Sequence, residues 1–133
     1  MLDNGETLQS EVLATSPVAV GAQPAIDHTH LRRFTMGDVQ LEHEVLVLFA
    51  NELPITLAGL KGAVTDRDWK IAAHTLKGSA RTVGAWRVAA AAVNAERDPN
   101  VVYHREDKAQ VVSICEQAIR DAVVYIAGLP RPE

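Results

Sequence analysis

The stretch "TDRDWKIAAHTLKGSARTVGAW", Thr65 to Trp86, decides how the chain folds. Laid on a helix at ~100° per residue, it separates into two faces. Trp69, Ala72, Leu76, Ala80 and Val83 gather on one side. Arg67, Lys70, Lys77, Gly78 and Arg81 fall within about 60° of His74 on the other. The apolar face requires a core, and the histidine faces outward in the middle of a basic stripe. Thr65 is a capping residue with the acid Asp68 three positions on, so the spacing predicts a helix that ends at about Val83, stopped by Gly84.

Working outward, a short helix from about His28 to Thr35 turns at Gly37, and Asp38 caps a long helix. Its expected inward stripe is Leu41, Val45, Leu48, Phe49, Leu53, Leu57, Leu60 and Val64. Pro54 lies within it, and because the stripe keeps phase across the proline, a kink is expected rather than a break. Downstream, an alanine-dense helix runs from Ala85 to about Glu96 and stops before Asp98-Pro99-Asn100. A last helix covers roughly Tyr103 to Ala127, with Val111, Cys115, Ala118, Ile119, Ala122 and Ile126 inward and Gly128-Leu129-Pro130 closing it. These elements predict an all-α fold, an antiparallel four-helix bundle with a short preceding helix. The bundle occupies residues 27–128, between a flexible N-terminal tail, 1–26, with at most a helical turn around Leu8 to Ala14, and a C-terminal tail, 129–133.

A chain of 133 residues suits one domain, and 47% hydrophobic but only 5% aromatic residues favour thin, closely packed helices. The net charge of −4 argues against a broad surface for nucleic acid or anionic membrane. Cys115 is the only cysteine, which excludes an intrachain disulfide and redox or zinc-ribbon motifs. No apolar run is expected to approach membrane-spanning length, and the first residues lack the basic start and apolar segment of a signal peptide. A cytoplasmic location is expected.

An exposed neutral imidazole is a nucleophile that needs no dedicated base. Lys77, with Lys70 and Arg81, would stabilise a phosphoryl group placed on that ring and would repel a metal ion. Gly78, one turn along, costs about 1 kcal/mol relative to alanine in an exposed helix, and clearance for another macromolecule would repay it. His28, His30, His43 and His104 read as ordinary surface histidines. In His28-Thr29-His30 the two rings point apart on a helix, so no metal site is expected. "GSARTVGAW" lacks the Gly-Lys-Ser/Thr ending of a phosphate-binding loop, so the chain is not expected to phosphorylate itself from ATP.

His74-Thr75-Leu76-Lys77-Gly78-Ser79-Ala80, followed by Gly84-Ala85, resembles the segment H-x-L-K-G-S-[AS] of the histidine phosphotransfer (HPt) domains of bacterial multistep phosphorelays. "LRRFTMGDVQLEHEVLVLFANELP", Leu31 to Pro54, is similar to the family's first short helix and long kinked helix, and Val88 and Glu96 fit the register of the helix after the motif. Ala91 and Ala92 stand where relatives often carry a larger aliphatic residue and a cysteine. The resemblance covers most of Asp27 to Ala127. It implies a phosphohistidine at His74, formed from and returned to the aspartate of receiver domains in response regulators and hybrid histidine kinases. Lys77 would screen the phosphoryl charge, Gly78 would admit the receiver, and Ser79 would bond near the helix backbone or pack at the interhelix seam. Lys70 and Arg81 would support, and Ile71 and Thr75 would contact the partner. The magnesium ion is implied on the receiver, with no cofactor on this chain, which is expected to be a monomeric carrier and not an enzyme. A sensor-kinase dimerisation helix fits less well, because Thr75 rather than an acid follows His74 and no proline appears before Pro99. Two other classes remain: a binding module that docks or sequesters a receiver without accepting phosphate, and a structural helical adaptor.

Overall fold

Local signals start the first three helices. Asp27 accepts from the His30 amide at the head of α1 (His28–Thr35), Asp38 from Leu41 at α2 (Val39–Gly62), and Thr65 from Asp68 at α3 (Asp66–Val83). Each side chain satisfies an amide that has no partner inside its helix. Then come α4 (Trp86–Arg97), a 3₁₀ turn at Val101–Tyr103, and α5 (Arg105–Ala127). The last helix thus starts just beyond the expected Tyr103, behind that turn. The computed structural model describes residues 23–98 and 100–132. The expected turn around Leu8 to Ala14 lies outside them.

Helices α2, α3, α4 and α5 each pack on their sequence neighbours, α5 returns to α2, and α1 lies on α2 and α3. Connections as short as Gly84-Ala85 force adjacent helices antiparallel. Gly84 makes that tight corner possible. Its φ is +79°, and a Cβ there would come within 2.9 Å of the Asp27 carbonyl oxygen. Only glycine suits both demands. The Asp27 amide donates to the Gly84 carbonyl at 2.9 Å, and Trp86 Nε1 donates to Asp27 Oδ2 at 2.9 Å, so the entry to α1 is pinned to the α3–α4 corner.

The core is filled by Leu46, Phe49, Leu53, Leu57 and Leu60 of α2, by Trp69, Ala73, Leu76, Ala80 and Val83 of α3, and by small residues of α4 facing Cys115, Ile119, Ala122 and Ile126 of α5. Ala91 and Ala92 are both buried, and their small volume admits Cys115, whose thiol donates to the Ala91 carbonyl at 3.6 Å. Burial pushes that thiol up to about 11. It is a packing group. Trp69 is completely buried, and its Nε1 donates to the Ala95 carbonyl at 2.8 Å, in the last turn of α4 where carbonyls lack helical partners.

Four expectations need correction. In α2, Leu41 and Leu48 are exposed and Val45 is only half-buried, whereas Leu46 and Glu42 are buried; Val64 lies beyond the helix end and is exposed. The helix is apolar on most sides, so periodicity alone could not choose its inner face. For the same reason α2 is, by length and composition alone, long and apolar enough to cross a membrane, contrary to the expected absence of such a run, although its Leu46-to-Leu60 row builds the bundle core. His28 is not an ordinary surface residue: its Nδ1 lies 3.0 Å from Glu42 Oε1 and its Nε2 2.7 Å from the Tyr125 hydroxyl, joining α1, α2 and α5. Ala25 and Ile26, assigned to the tail, are buried, Ile26 within the core. Pro54 sits inside α2 without breaking it.

Replacing Trp69 by Phe removes the Ala95 hydrogen bond and part of the buried volume. The expected loss is roughly 1 to 3 kcal/mol, read from urea unfolding.

Candidate functional site

The buried stripe of α3 fixes the helix rotation, and the rotation presents His74 to solvent. Its side chain is 75% exposed. The last turn of α4 then brings up Glu96, half-buried beside it. Glu96 Oε1 accepts from Lys77 Nζ at 2.7 Å, and Oε2 lies 3.4 Å from His74 Nδ1. The Lys77 hydrogen bond above all, aided by His74 and opposed by partial burial, holds the Glu96 carboxyl below its ordinary value of 4.5. Lys77 is largely covered, whereas Lys70 is exposed and pairs with Asp66 at 3.2 Å, one turn back on α3.

The expected basic stripe is therefore partly neutralised: two of its lysines are engaged by carboxylates. Sequence reading placed Glu96 in register on its helix but did not assign it to the site. Its partners are on another helix, and only the family register hinted at it. Arg81 is exposed, as expected for the outward face. Ser79 is exposed too, rather than turned toward the core or packed in a seam. Its helical angle lies on the edge of the apolar arc, and Leu76 and Ala80 fill the seam instead.

Gly78 stands open, since a Cβ built there meets nothing within 4 Å. Its absence of a side chain serves no packing in this molecule. Lys70, Ile71, His74, Thr75 and Glu96 line a shallow, open recess. Beside it runs a groove between α2 and α3, bordered by Ala58, Gly59, Gly62, Ile71 and Ala72. Ile71 on α3 and Leu48 and Ile55 on α2 are 55%, 64% and 65% exposed, an apolar display on the helix pair that carries the histidine. Among the described residues no cluster of three or more His, Cys, Asp or Glu side chains could hold a metal ion.

The fold is an all-α helical bundle that turns His74 to solvent, next to an open glycine and a lysine anchored by an acid. A family model described as Hpt domain matches residues 44–126, which includes most of α2, all of α3 and α4, and α5 to Ile126. The chain belongs to this family. Comparison with curated proteins and with solved structures returns no match.

Two expectations follow. Gly78→Ala should stabilise the free protein by up to about 1 kcal/mol, because the methyl group meets nothing and alanine is the better helix former; thermal melts check this. The depressed Glu96 carboxyl contributes stability that is present above its ordinary value of 4.5 and is lost as pH falls through the lower folded value. Urea unfolding in a pH series should show Glu96→Gln less stable than the parent near neutrality, with the gap closing in acid.

Proposed function

We propose that this protein is a phosphorelay carrier: His74 accepts a phosphoryl group from the phospho-aspartate of one receiver domain and passes it to the aspartate of another. The carrying observation is the solvent-facing His74 ring beside the open Gly78, within the matched HPt segment. A ring nitrogen attacks phosphorus, the bond from phosphorus to the aspartate oxygen breaks, and the aspartate leaves as carboxylate. The second transfer reverses these steps onto a new carboxylate. Such loose phosphoryl transfers depend mainly on positioning and charge stabilisation, so a rigid bundle without a nucleotide site suffices. Magnesium would reside in the receiver's acidic pocket.

Lys77 rests on Glu96, within the same turn as His74, and supplies a cation for the incoming phosphoryl oxygens. Lys70 and Arg81 form an exposed basic rim on the same helix. Ile71, Thr75 and Gly78, with Leu48 and Ile55 of α2, form the mixed surface on which a receiver docks. An apolar centre supplies burial, and the charged rim speeds encounter with an acidic partner. One copy of the chain is enough for this chemistry.

Incubation with a phosphorylated receiver tests the reading. Label should move to His74, survive base and be lost in mild acid, as an N–P bond requires. Label that persists in His74→Gln overturns His74 as the acceptor, and a receiver that binds without transferring label marks a docking-only module. Gly78→Gln should fold normally and slow transfer.

A further inference from the structure

At the bundle end opposite the Gly84 corner, a cavity of about 420 Å³ opens between the C-terminus of α2, the 3₁₀ turn and the first turns of α5. Lys61, Arg105 and Lys108 bring three cations to its wall, Val102, Val112 and Tyr103 form its apolar side, and among the described residues no acid lines it. This is a local excess of positive charge on a chain whose net charge is −4. Lys108 is built in: its Nζ donates to the carbonyls of Lys61 at 3.1 Å and Ala63 at 2.6 Å, at a helix end where carbonyls lack partners. An ammonium carries three hydrogens, so one remains. The Tyr103 hydroxyl accepts from the Asp66 amide at 3.2 Å, which fixes the ring while 60% of the residue stays exposed. That bond leaves the hydroxyl hydrogen to donate. The nearby acids do not cancel the cations. Glu116 Oε2 accepts from Lys61 at 3.1 Å but is shared with Arg120 at 3.7 Å. Asp66 is turned to Lys70. Asp68 borders the separate groove between α2 and α3. Glu106 and Asp107 project about 100° and 200° around α5 from Arg105, whereas Lys108 and Val112 stay within about 60° of it.

We propose that this cavity is a binding site for a small phosphomonoester that carries an aromatic group. The phosphate oxygens take the Arg105 guanidinium, the Lys61 ammonium and the remaining Lys108 hydrogen, and the ring packs on Tyr103, Val102 and Val112. A phosphate dianion with several acceptor oxygens matches three cations better than a single carboxylate does, and a planar guanidinium binds phosphate through two parallel hydrogen bonds. The ring is required by the other wall, where a fixed aromatic face and two valines offer a stacking and packing surface to a flat group. The volume is that of a small-molecule site. The site is distinct from the histidine: His74 lies eight residues, about 12 Å, along α3 from Asp66, and no residue that lines this cavity lines the His74 recess. The proposal therefore holds or fails independently of the carrier role.

The test titrates the ¹⁵N-labelled full chain at low salt with phenyl phosphate, inorganic phosphate, phenol or a hexaglutamate peptide, and follows the backbone amides by NMR. Phenyl phosphate should shift the amides of Lys61 to Ala63 and Val102 to Val112 saturably, and bind about threefold to tenfold more tightly than inorganic phosphate. Phenol should not saturate. Arg105→Gln and Lys61→Gln, at exposed positions and checked by thermal melts, should each weaken phenyl phosphate binding about threefold to tenfold. Tyr103→Leu should abolish the preference over inorganic phosphate while leaving the affinity for inorganic phosphate itself. Arg33→Gln, at the other end of the bundle, should bind as the parent does. Added salt should weaken binding. The proposal is overturned by the absence of saturation up to about 20 mM phenyl phosphate, by shifts centred on Lys70, His74 and Lys77 instead, or by equal affinity in the Arg105 and Lys61 variants. Saturable binding of hexaglutamate without binding of phenyl phosphate also overturns it, and makes the cationic patch a contact for an acidic protein segment.

Discussion

Burial of one face of α3 sets the position of the candidate site. Trp69, Ala73, Leu76, Ala80 and Val83 lie almost wholly inside, between α2 and α4. Each large side chain in such a row contributes on the order of 1.5 to 3 kcal/mol of apolar burial. A rotation of α3 by one residue would expose part of that row and draw Lys77 or Arg81 toward a core that cannot solvate them. The helix therefore has one rotation, and with it His74 and Gly78 have one direction.

The core also reaches the site through α4. Trp69 Nε1 holds the Ala95 carbonyl, and the next residue is Glu96, whose carboxylate spans Lys77 and His74. A buried indole thus positions the backbone from which the charged pair is built. The Gly84 corner, closed over Asp27, sets where α4 begins and keeps it alongside α3. Small side chains on α4 let the helices approach closely enough for a glutamate to span the gap.

Gly78 and Gly84 sit six residues apart on the chain and answer to different physics. Gly84 is required by its positive φ and by the carbonyl pressed against it, so its cause is internal. Gly78 has ordinary helical geometry and empty space around its missing side chain, so nothing inside the molecule calls for it. Under the proposed carrier role, with the histidine one turn away, the external cause is the approach of a partner surface.

The sequence by itself determined what depends on short-range order. The caps at Asp38 and Thr65, the stop at Gly84 and the outward direction of His74 follow from backbone groups a few residues apart and from a strong amphipathic period in α3. It could not choose the inner face of α2, where Leu41 and Leu48 look as suitable as Leu46, because a helix apolar on most sides acquires its orientation from its neighbours. Ser79 is similar: whether a residue at the edge of an apolar arc is covered depends on how near the adjacent helix comes. The link from His28 to Glu42 and Tyr125 and the bridge from Glu96 to Lys77 and His74 join residues on different helices. Only the tertiary structure decided them, because such contacts require that the core first fix the distance and rotation of each helix against the next.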